Sequence, residues 1–242
     1  MISRVETLHK KLHLMKLKLA RSAGIREGMR VLDVGCGQGT FTVCVAELVG
    51  EGGKVIAVDI SDEDKDTLNQ NLGRYDVRSR VTFVKAEAAE LLTVFHPVSF
   101  DMVVSYRLIE ELKQPTRLTE IVSSIVGVVR RSGRVSMLEL STEADTIAEQ
   151  NMIRLHREIG KDFFPSPRTI LRHLKNAGLL NVDVKTLPTN VSYSAEVFLK
   201  SNISQDEVWP EFKARIMTEL WPSIKQYGMK YPHMRIFRGQ KP

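Results

Sequence analysis

Residues 30–139 alternate short apolar runs with amphipathic stretches, and this pattern constrains the fold more tightly than anything else in the chain. The runs are Arg30–Val34, Lys54–Asp59, Val81–Lys85, Phe100–Ser105 and Arg134–Glu139. They have strand length, are rich in β-branched residues, and lack the strict alternation of a sheet with one wet face. Between them, Thr40–Val49, Glu63–Arg74, Glu87–Val94 and Thr116–Val129 read as helices. In the last of these, Leu118, Ile121, Val122, Ile125 and Val129 share one face. Repeated β-α units with right-handed crossovers predict an α/β fold, a doubly wound, mostly parallel seven-stranded sheet with helices on both faces. Further along, Thr142–Gly160 is predicted helical, with Ile147, Met152, Ile153 and Leu155 on its inner side. Ser166-Pro167 is a helix start, a Ser cap with Pro at the first position, and that helix closes at Gly178. Asn181–Leu187 and Met234–Gly239 read as the sixth and seventh strands.

Two helical stripes stand outside this alternation. The first is Val5, Leu8, Leu12, Met15 and Leu19 near the N-terminus. The second is Val208, Phe212, Ile216, Leu220 and Ile224, within an insertion at Lys200–His233 where Pro222 is expected to break or kink the helix. Core packing is the ordinary role of such stripes; a lid or a homodimer face is the functional alternative. The expected organisation is one domain over 1–242. It comprises an N-terminal helix (1–23), a core fold (24–199), a helical insertion or lid (200–233) and a last strand (234–242). The chain has 242 residues and a net charge of +6, with no long block of like charge, which permits nucleic-acid contact without demanding it. Two cysteines, Cys36 and Cys44, form no disulfide framework. With no signal-peptide pattern and no long apolar run, the expectation is a cytoplasmic protein without a membrane span.

The segment VLDVGCGQGT (31–40) follows one predicted strand and opens a helix. Its Gly35, Gly37 and Gly39 allow positive φ and close approach of backbone to a ligand. The dinucleotide fingerprint needs a glycine where Thr40 stands, so that pattern fails by one residue. Asp59 ends the second strand, where a carboxylate can accept hydrogen bonds from ribose hydroxyls. Asp33, beside the loop, would repel a pyrophosphate and suits a ligand with positive charge. Glu87, just past the third strand, can reach an adenine edge. A ribose-adenine ligand with a cationic tail and no phosphates fits this set.

On these residues the sequence resembles the class I S-adenosylmethionine-dependent methyltransferases, in their small-molecule (methyltransferase domain 11-like) branch, over Gly24–Val184. VLDVGCGQGTF, VIAVDIS and VTFVKAEAAELL are similar to the family's first three motifs. FDMVVSYRLIEEL, RRSGRVSMLE and FFPSPRTILRHLKNAGLLNVDV are similar to its fourth strand, its turn and fifth strand, and the approach to its sixth. The resemblance implies S-adenosylmethionine as cofactor, S-adenosylhomocysteine as product and no metal. By position, Gly35, Cys36, Gly37 and Gly39 would let the loop approach the methionyl and ribose parts. Asp33 would help hold the methionine ammonium, and Asp59 the ribose. Ile60 would pack on adenine, Glu87 would accept from its amino group, and the Ala88 amide would face the ring. Ser105 and Tyr106 would lie near the methyl-bearing sulfur. Glu87 replaces the family's usual Asp, Ser132 stands in its Pro-Gly-Gly turn, and Glu111 replaces a frequent His.

Methyl transfer is an in-line displacement that needs alignment, and a base only if the acceptor must lose a proton. Sequence therefore marks the acceptor side weakly. Tyr106, Glu110 and His156 are the candidate catalytic groups, and the catalytic residue itself stays open. Tyr106, Arg107, Glu111, Phe163, Phe164 and Tyr193 are candidates for acceptor binding, with Tyr227 and Tyr231 as further pocket-closing aromatics. Solvated helix turns and core packing are the ordinary roles of such residues. His9 and His13 have i,i+4 spacing but lack the further ligands a metal site needs. The leading expectation is an enzyme with a small-molecule acceptor and no nucleic-acid partner. An RNA or protein methyltransferase, and a non-catalytic cofactor-binding subunit, are the alternatives. Which atom is methylated stays open.

Overall fold

The computed structural model describes residues 3–96, 100–112, 115–200 and 210–242. Its internal contacts divide the chain into two compact units. A sheet unit is built of residues 16–139, 165–185 and 235–242, and a mainly helical unit of residues 1–15, 140–164 and 186–234. In chain order the strands are β1 (Arg30–Val34), β2 (Lys54–Asp59), β3 (Val81–Lys85), β4 (Phe100–Tyr106), β5 (Val129–Leu140), β6 (Leu180–Leu187), β7 (Ser192–Tyr193), β8 (Met229–Lys230) and β9 (Met234–Gln240). The helices are α1 (Arg4–Ala23), α2 (Thr40–Val49), α3 (Lys65–Arg74), α4 (Leu91–Val94), α5 (Leu118–Val128), α6 (Ile147–Arg154), α7 (Pro167–Asn176), α8 (Ala195–Phe198), α9 (Pro210–Arg215) and α10 (Trp221–Tyr227). No helix among the described residues is long and apolar enough to cross a membrane.

Seven strands form one sheet in the order β3-β2-β1-β4-β5-β9-β6. β1 lies parallel to both β2 and β4, β2 to β3, and β4 to β5. The central strands are buried on both faces, with Val31, Leu32, Val55, Ala57, Met102 and Val103 inaccessible to solvent. This is the doubly wound architecture that the unbroken apolar runs require. The chain moves outward from β1 to β3, then returns to place β4 on the other side of β1. A crevice therefore opens past the carboxyl ends of β1 and β4.

Several boundaries differ from the sequence expectation. β5 begins at Val129 rather than Arg134, because the expected turn is absorbed into the strand. Phe100 pairs with Val129 before the register shifts to Met102 and Arg134, an irregularity in the ladder. Ser132 takes φ 59° there, and a Cβ on Gly133 would lie 2.6 Å from Val129 Cγ1 and 2.8 Å from the Arg130 carbonyl. The helix expected from Thr142 starts at Ile147. Thr146 and Glu149 form a reciprocal capping box that fixes this start, and Ile147 points outward, 42% exposed, instead of inward. The β7–β8 ribbon and α8 were not expected at all.

In the helical unit, Met152, Leu155, Ile159, Phe198, Ile216, Leu220, Ile224 and Met229 make one core. The second sequence stripe is thus used in packing, apart from Val208, which lies outside the described residues. Pro222 sits in the first turn of α10 and is preceded by a π turn at Ile216–Leu220. Leu220 leaves helical geometry there (φ −121°), which is the kink the missing proline N–H demands.

One polar contact secures the end of α5. The Lys241 ammonium donates to the carbonyls of Val126 (2.9 Å), Gly127 (3.0 Å) and Val129 (2.7 Å). It neutralises acceptors that a helix C-terminus leaves unpaired, and burial lowers its pKa. Lys241→Met is expected to reduce unfolding free energy by about 1–3 kcal/mol in urea titration. An unchanged midpoint would contradict this role.

Candidate functional site

The glycine loop between β1 and α2 is held by backbone bonds to its neighbours. The N–H groups of Gly35 and Cys36 donate to the Val58 carbonyl at 2.8 and 3.0 Å, and Gly39 N–H donates to the Cys36 carbonyl at 2.8 Å. Gly37 N–H donates to Asp59 Oδ2 at 2.8 Å. All three glycines have positive φ (76°, 44° and 73°), for different reasons. A Cβ on Gly39 would lie 2.0 Å from Leu68 Cδ1, and one on Gly35 would lie 2.8 Å from Leu108 Cδ1. A Cβ on Gly37 would meet nothing nearer than Asp64 Oδ2 at 4.0 Å. Fully buried Leu68 thus demands Gly39, whereas half-buried Leu108 can turn aside at Gly35, and Gly35 and Gly37 answer chiefly to backbone conformation.

This loop forms one wall of a cavity of about 320 Å³ in the sheet unit, past the carboxyl ends of β1, β2 and β4. The volume falls in the range of small-molecule sites. Gly35, Gly37, Asp59, Ile60, Glu87 and Ala88 line it, as do Arg107, Leu108, Glu111 and Arg117 from beyond β4. Asp59 Oδ1 accepts from Ser61 N–H at 3.2 Å. Each Asp59 oxygen therefore has one protein donor and further acceptor capacity toward the cavity. Ile60 is 66% exposed, an apolar wall suited to a flat apolar ring. Glu87 is ion-paired with Arg117, whose Nε also donates to Glu120 at 2.9 Å. Arg117 was missed by sequence reasoning, because nothing local to its turn signals a partner thirty residues upstream.

Behind the cavity wall lie buried charges. Asp33 is 1% exposed and does not line the cavity. Its Oδ2 accepts from the Thr42 hydroxyl at 2.7 Å, while Oδ1 has no hydrogen-bond partner. Burial pushes its carboxyl up to about 7, with the Asp59 charge adding and the Thr42 bond opposing. Ser105 is buried, and its hydroxyl oxygen has no protein partner. Tyr106 stacks on Phe41 with ring centroids 4.9 Å apart.

Arg107 takes φ 61°, donates its N–H to the Leu138 carbonyl at 2.7 Å and pairs through its guanidinium with buried Glu110. Glu139, at the end of β5, accepts from Ile109 N–H at 3.2 Å. Burial, and then the nearby Glu110 charge, hold its carboxyl well above the usual range. The Arg107 guanidinium and a proton retained on Glu139 thus let two acids occupy this space. Glu139 was also missed, although an acid at the end of the run RVSMLE was a readable signal. Cys36 and Cys44 are buried, and burial pushes both thiols up, Cys44 to about 12, so neither is poised as a nucleophile.

The remaining candidates belong to the helical unit and not to the cavity wall. His156 Nδ1 lies 2.9 Å from Asp162 Oδ2. Phe163 and Phe164 are half-buried. Tyr193 and Tyr231 pack against the helical core and each other, with centroids 6.4 Å apart, while Tyr227 is exposed. In the same unit Asp145, Glu149 and His233 gather ligand-type atoms within 4.8 Å. Glu149 is already engaged there by Lys230 at 3.0 Å and by the N–H groups of Asp145 and Thr146.

The strand order, the glycine loop after β1 and the acid ending β2 define a class I methyltransferase fold. The profile of a family described as a methyltransferase domain matches residues 25–190. The ubiquinone/menaquinone biosynthesis C-methyltransferase UbiE of Azotobacter vinelandii is 32% identical over 125 residues, covering 52% of this chain and 47% of that one. A protein of Saccharolobus solfataricus named "Probable cobalt-precorrin-6B C(15)-methyltransferase (decarboxylating)" is 29% identical over 111 residues, covering 46% and 52%. The chain thus spans about half the length of these curated relatives. The structure of Haemonchus contortus phosphoethanolamine N-methyltransferase 2, solved with S-adenosyl-L-methionine, superposes with TM-score 0.63 at 22% identity, over 94% of this chain and 52% of that one, and shows the shared fold. The chain belongs to the class I S-adenosylmethionine-dependent methyltransferase family.

The contrast between the glycines is measurable. Gly39→Ala combines left-handed strain with a clash and is expected to lose roughly 2–5 kcal/mol in urea unfolding. Gly37→Ala carries the strain alone, about 1–2 kcal/mol. Equal losses would contradict the packing argument.

Proposed function

We propose that this protein is an enzyme that binds S-adenosylmethionine in the 320 Å³ cavity and transfers its methyl group to a small-molecule acceptor. One observation carries the reading: Asp59 closes the glycine loop through Gly37 N–H beside the exposed face of Ile60. The residues present suit the cofactor. The space over Gly37 admits close backbone approach, and the unpartnered Asp33 Oδ1 leaves buried negative charge available to a cation. When bound, the cofactor supplies an electrophilic methyl group on a sulfonium. Asp59 holds the ribose hydroxyls, Ile60 and Ala88 flank the adenine, and Asp33 offsets the charge of the methionyl end.

Both relatives are named as C-methyltransferases, which supports a carbon acceptor here. Such an acceptor must lose a proton, which calls for a base. Glu110, paired with cavity-lining Arg107, is our candidate for that role.

Calorimetric titration tests the reading. S-adenosylmethionine is expected to bind and NAD not to. Asp59→Ala is expected to weaken binding at least about tenfold through the lost charge-assisted bonds. Asp33 supplies a pH dependence with a definite sign. Its carboxyl is protonated below about 7, and a cationic ligand favours the ionised form. Binding then expels a proton, so affinity rises with pH through about 7. Asp33→Asn should flatten that rise. Tight NAD binding, or unchanged affinity in Asp59→Ala, would contradict the proposal.

A further inference from the structure

β6 closes one side of the seven-stranded sheet and leaves an open edge. Leu180, Asn181 and Asp183–Thr186 are exposed, whereas β3, the strand at the other edge, is shorter and mostly half-buried. Among the described residues, no hydrogen bond reaches the outer backbone edge of 180–187. Val184 is 38% exposed, an aliphatic side chain left uncovered in mid-strand. Asn181 takes φ 52°, so the regular edge begins at Val182. An extended edge with free N–H and C=O groups is a template for another strand.

The residues on that edge say which strand fits. Positions 182–185 read VDVK, which sets Asp183 and Lys185 on one face of the strand and Val182 and Val184 on the other. A lysine on an edge ordinarily turns a foreign strand away, because pairing covers its charge without a counter-charge. Here the counter-charge lies two residues earlier in the same strand. When β6 pairs antiparallel with its own copy about a two-fold axis at Val184, Asp183 stands opposite the partner's Lys185, and Lys185 opposite the partner's Asp183. Val184 meets the partner's Val184, and both lose exposed apolar surface. In-register parallel pairing would set acid against acid instead. Arg238 fixes the Asp183 carboxylate, donating through Nε at 2.8 Å and Nη2 at 2.7 Å, and the carboxylate keeps acceptor capacity for an ammonium.

We infer that the partner of β6 is a second copy of this chain, joined by antiparallel β6–β6 pairing centred on Val184, with an Asp183–Lys185 ion pair on each side of the axis. The two sheets then run on as one. Two short strands bury less than a standard interface, so the dimer is a reversible one. It forms at the end of the sheet away from the cavity, because β5 and β9 stand between β4 and β6. Dimerisation therefore proceeds without cofactor.

Sedimentation equilibrium of the full chain without ligand is expected to show a reversible monomer–dimer equilibrium below about 200 μM, the affinity range of small interfaces. Lys185→Asp sets two acids against each other on each side of the axis. It should weaken dimerisation at least about tenfold, whereas Lys185→Arg should keep it. Both variants change an exposed side chain, and circular dichroism checks that each folds. Hydrogen exchange on the wild-type protein gives a reading that needs no variant. Amides among 182–185 should exchange several-fold more slowly at high than at low protein concentration. A chain that stays monomeric throughout that range overturns the inference. So does a dimer that Lys185→Asp leaves equally tight, or one whose amides at 182–185 gain no protection, since its contact then lies elsewhere.

Discussion

The hydrogen bond from Gly37 N–H to the Asp59 carboxylate joins the two elements on which the cavity depends. It links the turn after β1 to the end of β2 and makes the acid part of the loop's own structure. The Val58 carbonyl, accepting from Gly35 and Cys36 just before it, fixes the same edge through backbone. With the turn held on that side, Gly39 can tuck under Leu68 and launch α2, while Gly37 keeps its Cα bare toward open space. Ile60, one residue past the acid, is left exposed by the same geometry. The cavity wall thus follows from how two neighbouring strands end.

Acids recur at those strand ends, and depth decides what each can do. Asp59, half-buried and bonded to two N–H groups, is an acceptor. Asp33 lies deeper, with a single hydroxyl partner, and burial brings its titration to about 7. Glu139 is buried as well and lies beside the Glu110 charge, so it holds its proton well above the usual range. Past β4, Arg107 brings a cation to the cavity wall and is itself paired with buried Glu110.

How much of this could be read from the chain follows from the range of the interactions. β1, β2, β3 and α2 occupy the residues expected from apolar pattern and glycine punctuation, because local pattern decides them. Gly35, Gly37, Asp59, Ile60, Glu87 and Ala88, named from spacing and resemblance, gather on one cavity, since short turns after parallel strands leave little freedom. β5 escaped correct delimitation because Ser132-Gly133 looks like a turn, yet pairing with Phe100 draws it into the sheet. Arg117 carried no signal, because it matters through Glu87, a partner that only the fold brings near.

The central claim is that the cofactor lies along the glycine loop between the ends of β1, β2 and β4. Hydrogen–deuterium exchange with and without saturating S-adenosylhomocysteine tests this most directly, because it locates the ligand without requiring a known acceptor. The account predicts added protection in residues 34–40, 58–62 and 85–89, the segments that line the cavity or adjoin its lining, with little change in the exposed edge strand β6. Protection confined to other segments, or none at a saturating concentration, would contradict it.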